Sequence, residues 1–277
     1  MWLDMKAVSA IATYIFIPCL IFMTFYQSDL NVVSFYIVCF YLLLFIILIV
    51  INKIYGKLRK LSPAQASGLV LSTVFANTGN YGAPIILLAY GSAGFDYAIY
   101  IFATISIVMH TIGVYIAVRG KRSAKDAFKQ MFRMPMIYTI TFCMILKALH
   151  IELPDNLLTV IDLLASAAIP IVMIILGFQL ASVQIKSLDW GNIVYSTVLK
   201  LVAAPIIAFF LTFLFPFDAL LRNIIIILSA MPTAVVASMY AVQFDTEPEL
   251  VSSNVIITTF VSIVTITVLL MILGVSQ

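Results

Sequence analysis

The stretch Asn77-Thr78-Gly79-Asn80-Tyr81-Gly82-Ala83-Pro84 interrupts an apolar run that extends from about residue 66 to residue 90. The run is long enough to cross a bilayer as a helix, at about 1.5 Å of rise per residue, but glycine and proline are poor helix formers. Backbone amides without partners cost several kcal/mol in lipid, so non-helical backbone at that depth has to line a polar cavity or pack against protein. The stretch therefore predicts a broken membrane helix whose gap forms part of a substrate site.

The composition indicates the class of protein. Of the 277 residues, 64% are hydrophobic and 10% are charged, whereas soluble domains carry about 25% charged residues. We therefore predict an all-α polytopic membrane protein whose surroundings are the lipid bilayer. The formal net charge of +3 gives no reason to expect nucleic acid as a partner. Cys19, Cys39 and Cys143 lie singly in apolar runs, so neither a metal site nor a cofactor is expected.

Nine apolar segments predict nine transmembrane helices. They cover approximately residues 8–26, 32–52, 66–90, 95–118, 134–150, 156–182, 190–215, 219–243 and 249–273. If nine helices alternate in direction, most lysines and arginines fall on one side: Lys6, four residues within 53–60, six within 119–133, and Lys186. The positive-inside rule makes that side cytoplasmic, which predicts a multi-pass protein of the cell membrane. Residues 119–133 are interpreted as a topology determinant, with binding of anionic lipid as the alternative.

Matched prolines indicate an internal repeat. The interval from Pro18 to Pro84 is close to the interval from Pro170 to Pro232, and the segments that contain Pro18 and Pro170 enter the membrane from opposite sides. We expect residues 1–130 and 131–277 to form two inverted repeats. Paired interrupted helices in two inverted halves are typical of secondary transporters, with the site near the midplane. The segment at 134–150 has no counterpart in the first repeat, so the first helix of a five-plus-five arrangement is expected to be missing, either lost or encoded upstream.

Three stretches carry a resemblance to a known family. They are the opening stretch, then Leu163-Leu164-Ala165-Ser166-Ala167-Ala168-Ile169-Pro170 with Leu176-Gly177, and Ala230-Met231-Pro232-Thr233-Ala234 followed by Pro248-Glu249-Leu250. In this order they resemble the auxin efflux carrier family, which includes plant PIN-formed auxin carriers and bacterial organic-acid permeases. The resemblance implies two crossing broken helices and carriage of small organic anions such as carboxylates. It also implies that segments 8–26, 134–150 and 156–182 form a scaffold against which the other helices move.

The predicted substrate site lies at the crossing of segments 66–90 and 219–243. Asn77, Thr78 and Asn80 can donate hydrogen bonds to carboxylate oxygens, and glycine lets a ligand approach the backbone. The positive end of a half-helix at the break also favours an anion. The alternative is that the two asparagines only satisfy the broken backbone. The predicted substrate-binding residues are Asn77, Thr78, Gly79, Asn80, Gly82, Pro84, Met231, Pro232, Thr233 and Lys200.

Two charged residues inside the segments are candidates for coupling. Lys200 lies about ten residues inside its segment, where a cation faces the bundle interior or water, and it is a candidate counter-charge for the anion. Its stem reaching polar groups for structure alone is the alternative. Asp162 is its candidate partner and a candidate site for proton coupling. His110 is interpreted as hydrogen-bonded structure, with a proton relay as the alternative.

The predicted function is a secondary transporter, or permease, for a small organic anion. A transport-inactive sensor or regulator on the same fold is the first alternative. An intramembrane enzyme is the second, but the sequence offers no catalytic constellation of paired Asp, Ser with His, or metal ligands. The absence of G-x-x-x-x-G-K-[ST] excludes a self-contained pump. Coupling to protons or to sodium stays open, and a homodimer formed through the scaffold is expected.

Overall fold

The computed structural model describes residues 5–27, 31–182 and 189–274. Within these ranges the protein is all-helical and contains no β-strand, which confirms the predicted class. The helices are α1 (Met5–Ile11), α2 (Ile17–Gln27), α3 (Val32–Leu58), α4 (Pro63–Val74), α5 (Ala83–Val108), α6 (Val114–Arg119), α7 (Ala124–Met131), α8 (Pro135–Ala148), α9 (Asp155–Ser182), α10 (Trp190–Val198), α11 (Ala204–Thr212), α12 (Ala219–Ser229), α13 (Val235–Phe244) and α14 (Pro248–Ile272). Lys186 and residues 1–4 lie outside the described residues.

Four short π-helical turns connect or extend these helices. They are Ala12–Phe16, Thr78–Gly82, Met109–Gly113 and Leu199–Ala203. A π turn widens the helix by one residue and leaves part of the regular hydrogen-bond ladder open, and such turns occur frequently at functional sites. Three of the four contain a polar or charged residue singled out from the sequence: Thr78, His110 and Lys200.

Local sequence signals explain where several helices begin. Ser62 caps α4 by accepting a hydrogen bond from the amide of Gln65, while the Gln65 side chain accepts one from the Ser62 amide. Pro63 occupies the first turn, where its missing N–H is tolerated. The carboxylate of Asp218 caps α12 by accepting from the amide of Leu221 at 2.7 Å. These caps fix the starts of both helices that are later interrupted.

Four helical stretches of the described chain are long and apolar enough to cross a membrane. They are Val32–Leu58, Thr78–Arg119, Trp190–Thr212 and Pro248–Ile272, and a fifth results if Ala124–Met131 and Pro135–Ala148, bent by 48°, count as one span. Within Thr78–Arg119, Gly91 has a φ of 68° and breaks the helix between two of the predicted segments. By length and composition the structure therefore supports a multi-pass membrane protein with four to five spans. The count of nine spans and the inverted repeat stay predictions.

Two large hydrophobic clusters lie in the interior, besides a third with three buried residues. The larger one joins α3, α4, α5 and α11 to α14, with Phe40, Ile101 and Leu228 among its fully buried members. The other large cluster joins α2, α8 and α9, with Ile21 and Cys143 among its fully buried members. The second cluster contains the helices for which the family resemblance implies a scaffold. The candidate site lies between the two clusters.

Candidate functional site

Both predicted interruptions are present, and each is short. Helix α4 ends at Val74, and helical structure resumes at Thr78 in the π turn that leads into α5. Helix α12 ends at Ser229, and α13 begins at Val235. The sequence places the first gap over residues 77–84, but the non-helical part is only residues 75–77. Pro84 stands in the first turn of α5, where proline is compatible with a helix, and this explains the shorter gap.

The two interruptions pair with each other in an antiparallel bridge between Ala76 and Thr233. The amide of Asn77 donates to the carbonyl of Pro232 at 2.8 Å. The amide of Ala234 donates to the carbonyl of Phe75 at 3.0 Å. Each broken segment thereby supplies the hydrogen-bond partners that the other lacks, so that two open backbones satisfy one another inside an apolar protein.

Buried side chains reinforce the crossing from one side. The hydroxyl of Thr233 donates to the carbonyl of Ser72 at 2.6 Å, and the amide of Thr233 donates to the hydroxyl of Thr258 at 3.1 Å. Asn254 on α14 donates to the Ser72 hydroxyl at 3.2 Å and accepts from the hydroxyl of Ser196 at 2.5 Å. All five residues are buried. The side chain of Thr233, predicted to bind substrate, is therefore engaged in holding the crossing.

A cavity of about 40 Å³ lies against the crossing, and none of the five buried residues that reinforce the crossing lines it. Asn77, Thr78, Gly79 and Asn80 line it from the crossing itself. The rest of its lining comes from the two interruptions, from α2, α5, α9 and α13 and from the π turn after α5: Ile17, Leu20, Phe75, Ala76, Phe102, Ile105, Ser106, Met109, His110, Ala168, Ala234, Val235 and Val236. The cavity therefore touches both hydrophobic clusters.

Two polar atoms in this lining are buried without a hydrogen-bond partner among the described residues: the hydroxyl oxygen of Thr78 and Nε2 of His110. Thr78 is 1% exposed and His110 is 2% exposed. The other ring nitrogen of His110, Nδ1, lies 2.7 Å from the carbonyl oxygen of Ser106, which orients the ring. Buried polar groups in folded proteins are nearly always paired, so two unpaired ones in one cavity indicate a place where a polar ligand or water binds.

The structure separates the predicted charged residues from the cavity. Lys200 is 1% exposed, in the π turn Leu199–Ala203 that packs against α4 and α14, and it does not line the cavity. Asp162 is exposed on α9. A salt bridge joins Lys121 to Asp245, and none joins Asp162 to Lys200, so the hypothesis that these two residues pair finds no support in the geometry. A role of Asp162 in proton coupling stays a prediction.

The glycines of the opening stretch have a packing reason. A Cβ on Gly79 would lie 2.5 Å from the Phe102 ring. A Cβ on Gly82 would lie 2.6 Å from Cδ2 of Leu228 and 3.2 Å from Cγ of Met231. Both glycines therefore allow helices to approach closely. Four of the ten predicted binding residues line the cavity. The six that do not are Gly82, Pro84, Met231, Pro232, Thr233 and Lys200.

His110 and Ser106 line the cavity, although neither is among the predicted binding residues. The hydrogen bond of His110 agrees with the structural role expected from the sequence. A signal was present in the pattern, because Ser106 and His110 are four residues apart and share one face of an apolar helix. A titratable residue inside a membrane segment is a candidate functional residue by default. What the pattern could not give is the π turn at Met109–Gly113 and the approach of this face to Asn77 and Thr78.

Interrupted helices that cross, pair and border a cavity with a few polar groups in an apolar helical protein form the architecture of a membrane transport protein. The chain belongs to the auxin efflux carrier-type membrane transport family: the model of the family described as "Membrane transport protein" matches residues 4–130 and 121–270.

Three relatives share this similarity, and all are named as transporters. An uncharacterised transporter of Methanocaldococcus jannaschii is 29% identical over 217 residues, which are 75% of this chain and 68% of that protein. An uncharacterised transporter of Methanothermobacter thermautotrophicus is 22% identical over 266 residues, 95% of this chain and 87% of that protein. A protein of Rhizobium meliloti named "Putative malonate transporter" is 28% identical over 222 residues, 77% of this chain and 69% of that protein.

Proposed function

We propose that this protein is a secondary transporter that carries a small organic anion, such as a carboxylate, across the cell membrane through the cavity beside the helix crossing. The observation that carries the proposal is the pair of buried, unpartnered polar atoms of Thr78 and His110 in a cavity that the two broken helices enclose. The relative named for malonate transport supports a carboxylate as substrate. Neither catalysis nor a cofactor is part of the proposal.

The cavity suits an anion for electrostatic reasons. Thr78, Gly79 and Asn80 stand at the amino-terminal end of a long helical stretch, where the helix dipole is positive. Asn77 is 5% exposed and offers an amide N–H₂ group that can donate to a carboxylate. The apolar walls of Ile17, Leu20 and Ala168 strengthen these interactions by excluding water.

The proposal includes the membrane topology. Nine helices cross the membrane with the basic loops in the cytoplasm, and residues 1–130 and 131–277 form two inverted repeats that meet at the crossing. The cluster of α2, α8 and α9 is the scaffold, through which two copies form a homodimer. Movement of the larger cluster against this scaffold opens the cavity first to one side and then to the other, which is alternating access. The location of the cavity between the two clusters supports this division.

Counterflow in proteoliposomes tests the proposal. Vesicles loaded with unlabelled malonate, or with another small carboxylate from a panel, receive a trace of the labelled compound outside. We expect transient accumulation of label by the wild type. Thr78→Val should reduce apparent affinity by about 10-fold or more, because a hydrogen bond to a charged group contributes about 1.5–3 kcal/mol. Thr267→Val is the matched control, because Thr267 is exposed on α14 and its hydroxyl bonds within its own helix.

The results separate the alternatives. Accumulation that is equal in wild type and Thr78→Val would contradict the proposed site. The absence of counterflow by the wild type for every carboxylate in the panel would contradict carriage of this substrate class and favour the sensor or regulator.

A further inference from the structure

We propose that His110 carries the proton that enters with the transported anion, so that the substrate carboxylate binds next to a protonated imidazole in the cavity. This inference rests on the proposed function and adds the coupling ion and the residue that binds it. It assigns to His110 the role that the sequence offered to Asp162.

The lining of the cavity contains one residue that can change its charge in the pH range of cells. Among the described lining residues there is no aspartate, glutamate, lysine or arginine, and the polar members besides His110 are Asn77, Thr78, Asn80 and Ser106. An anion that enters this cavity needs a compensating charge, because a lone carboxylate between apolar walls is costly. A proton on His110 is the compensating charge that these residues can supply.

The orientation of the ring fits this role. With Nδ1 at 2.7 Å from the Ser106 carbonyl, Nδ1 carries a hydrogen and donates to that carbonyl. The second nitrogen, Nε2, is then the site that accepts or releases a proton, and it is the atom that has no partner among the described residues. Protonation at Nε2 turns it into a donor toward the cavity, where the carboxylate can accept from it while the Thr78 hydroxyl donates to the same anion.

No other ionisable group competes for this position in the described part of the chain. The ring of Tyr240 on α13 stands edge-on to the imidazole, with centroids 5.9 Å apart, and its hydroxyl is buried without a partner. The π turn of His110 also packs against α5, α6, α7 and α8. None of the charged residues on these four helices and on α9 lines the cavity. They are Asp96, Arg119, Lys125, Asp126, Lys129, Lys147, Asp155 and Asp162.

The physical consequence is mutual stabilisation. An isolated imidazolium and an isolated carboxylate are each disfavoured between apolar walls, whereas together they form an ion pair. Proton and anion therefore increase each other's affinity by the same factor, as linkage requires. One proton binds Nε2 and leaves on the other side with the anion. The cycle therefore moves no net charge with a monoanion, and one negative charge with a dianion such as malonate at neutral pH.

The experiment uses the full chain in proteoliposomes that contain a pH-sensitive dye. An inward malonate gradient should acidify the lumen of wild-type vesicles, and uptake should rise as the external pH falls from 8 to 6. His110→Gln keeps a polar side chain without a titratable group, so we expect residual counterflow but loss of both proton movement and pH dependence. His150→Gln is the matched control, because His150 is exposed at the end of α8 and should behave as wild type.

The outcomes distinguish this inference from the proposed function. Counterflow by the wild type without luminal acidification would overturn the role of His110 and leave the transporter proposal standing. Proton movement and pH dependence that persist in His110→Gln would do the same.

A second measurement avoids dependence on the folding of His110→Gln. The chain has two histidines, so His110 is the only one left in His150→Gln. We expect malonate to protect that variant from loss of counterflow on treatment with diethyl pyrocarbonate, which modifies neutral imidazole. Inactivation that is equally fast with and without malonate would contradict a substrate site at His110.

Discussion

Replacing Thr233 by valine tests how the two broken helices hold each other. Ser72 lies in the last turn of α4, where the carbonyl groups no longer find amide donors in their own helix. The hydroxyl of Thr233, from the other interrupted helix, donates to that carbonyl at 2.6 Å, and both residues are fully buried. Valine has nearly the same shape but cannot donate, so the substitution isolates this one hydrogen bond.

The expected cost follows from the burial. A buried carbonyl left without a donor costs about 1–3 kcal/mol. No cavity forms, since the methyl group of valine replaces the hydroxyl. For a chain of this size about 1 kcal/mol corresponds to roughly 2–4 °C in Tm, so we expect Tm to fall by about 2–12 °C. The amide of Thr233 keeps its bond to the hydroxyl of Thr258, so the helix crossing should persist.

The assay is thermal unfolding of detergent-purified protein, with Thr267→Val as the reference. Thr267 donates to the carbonyl of Ile263 at 2.7 Å within α14 and is exposed, so its loss should change stability by less than about 0.5 kcal/mol. If Thr233→Val unfolds at the same temperature as Thr267→Val, the Thr233 hydroxyl does not stabilise the end of α4, and the two broken helices do not hold each other through this bond.

Three further substitutions test the packing and the surface charges. Gly79→Ala should destabilise by about 1–3 kcal/mol, because its Cβ would lie 2.5 Å from the Phe102 ring. Gly56→Ala should raise Tm, since Gly56 lies in the last turn of α3 and its Cβ would make an ordinary contact of 3.7 Å. Thermal unfolding of both variants checks the contrast, and equal shifts would contradict it. Lys121→Ala should change stability by less than about 1 kcal/mol at low salt and by less still at high salt, because its bridge to Asp245 is solvent-exposed; a larger, salt-independent loss in the same assay would be inconsistent with this.

The breaks in the helices were predictable because their cause is local. Glycine, asparagine and proline in an apolar run weaken a helix whatever surrounds them, and Pro84 and Pro232 mark both interruptions. The matched positions of the two breaks predicted that the breaks would pair. The sequence did not predict the exact limits of the breaks, because Pro84 is compatible with the first turn of a helix and Thr78–Gly82 continues as a π turn.

The membership of the site was less predictable because it depends on which polar groups already have partners. Thr233 and Thr78 look alike in sequence, each next to an interruption. In the fold Thr233 donates to Ser72 and faces α14, whereas Thr78 turns to the cavity. Lys200 was a candidate because it lies deep inside its predicted membrane segment, but this depth alone does not show which residues Lys200 contacts. The place of His110 in the cavity depends on a contact between α5 and the crossing, and residue spacing along the chain does not predict that contact.

The crossing therefore divides the buried polar groups of this protein into two sets with different tasks. An open backbone in an apolar interior is stable only if every exposed donor and acceptor finds a partner. Ser72, Thr233 and Asn254 meet that requirement with bonds to one another and to the breaks. The hydroxyl of Thr78 and Nε2 of His110 bond to none of the described residues, so these atoms do not hold the crossing and are available to a ligand. A carrier needs this separation, since a group that both holds the crossing and binds substrate would loosen the fold each time the substrate leaves.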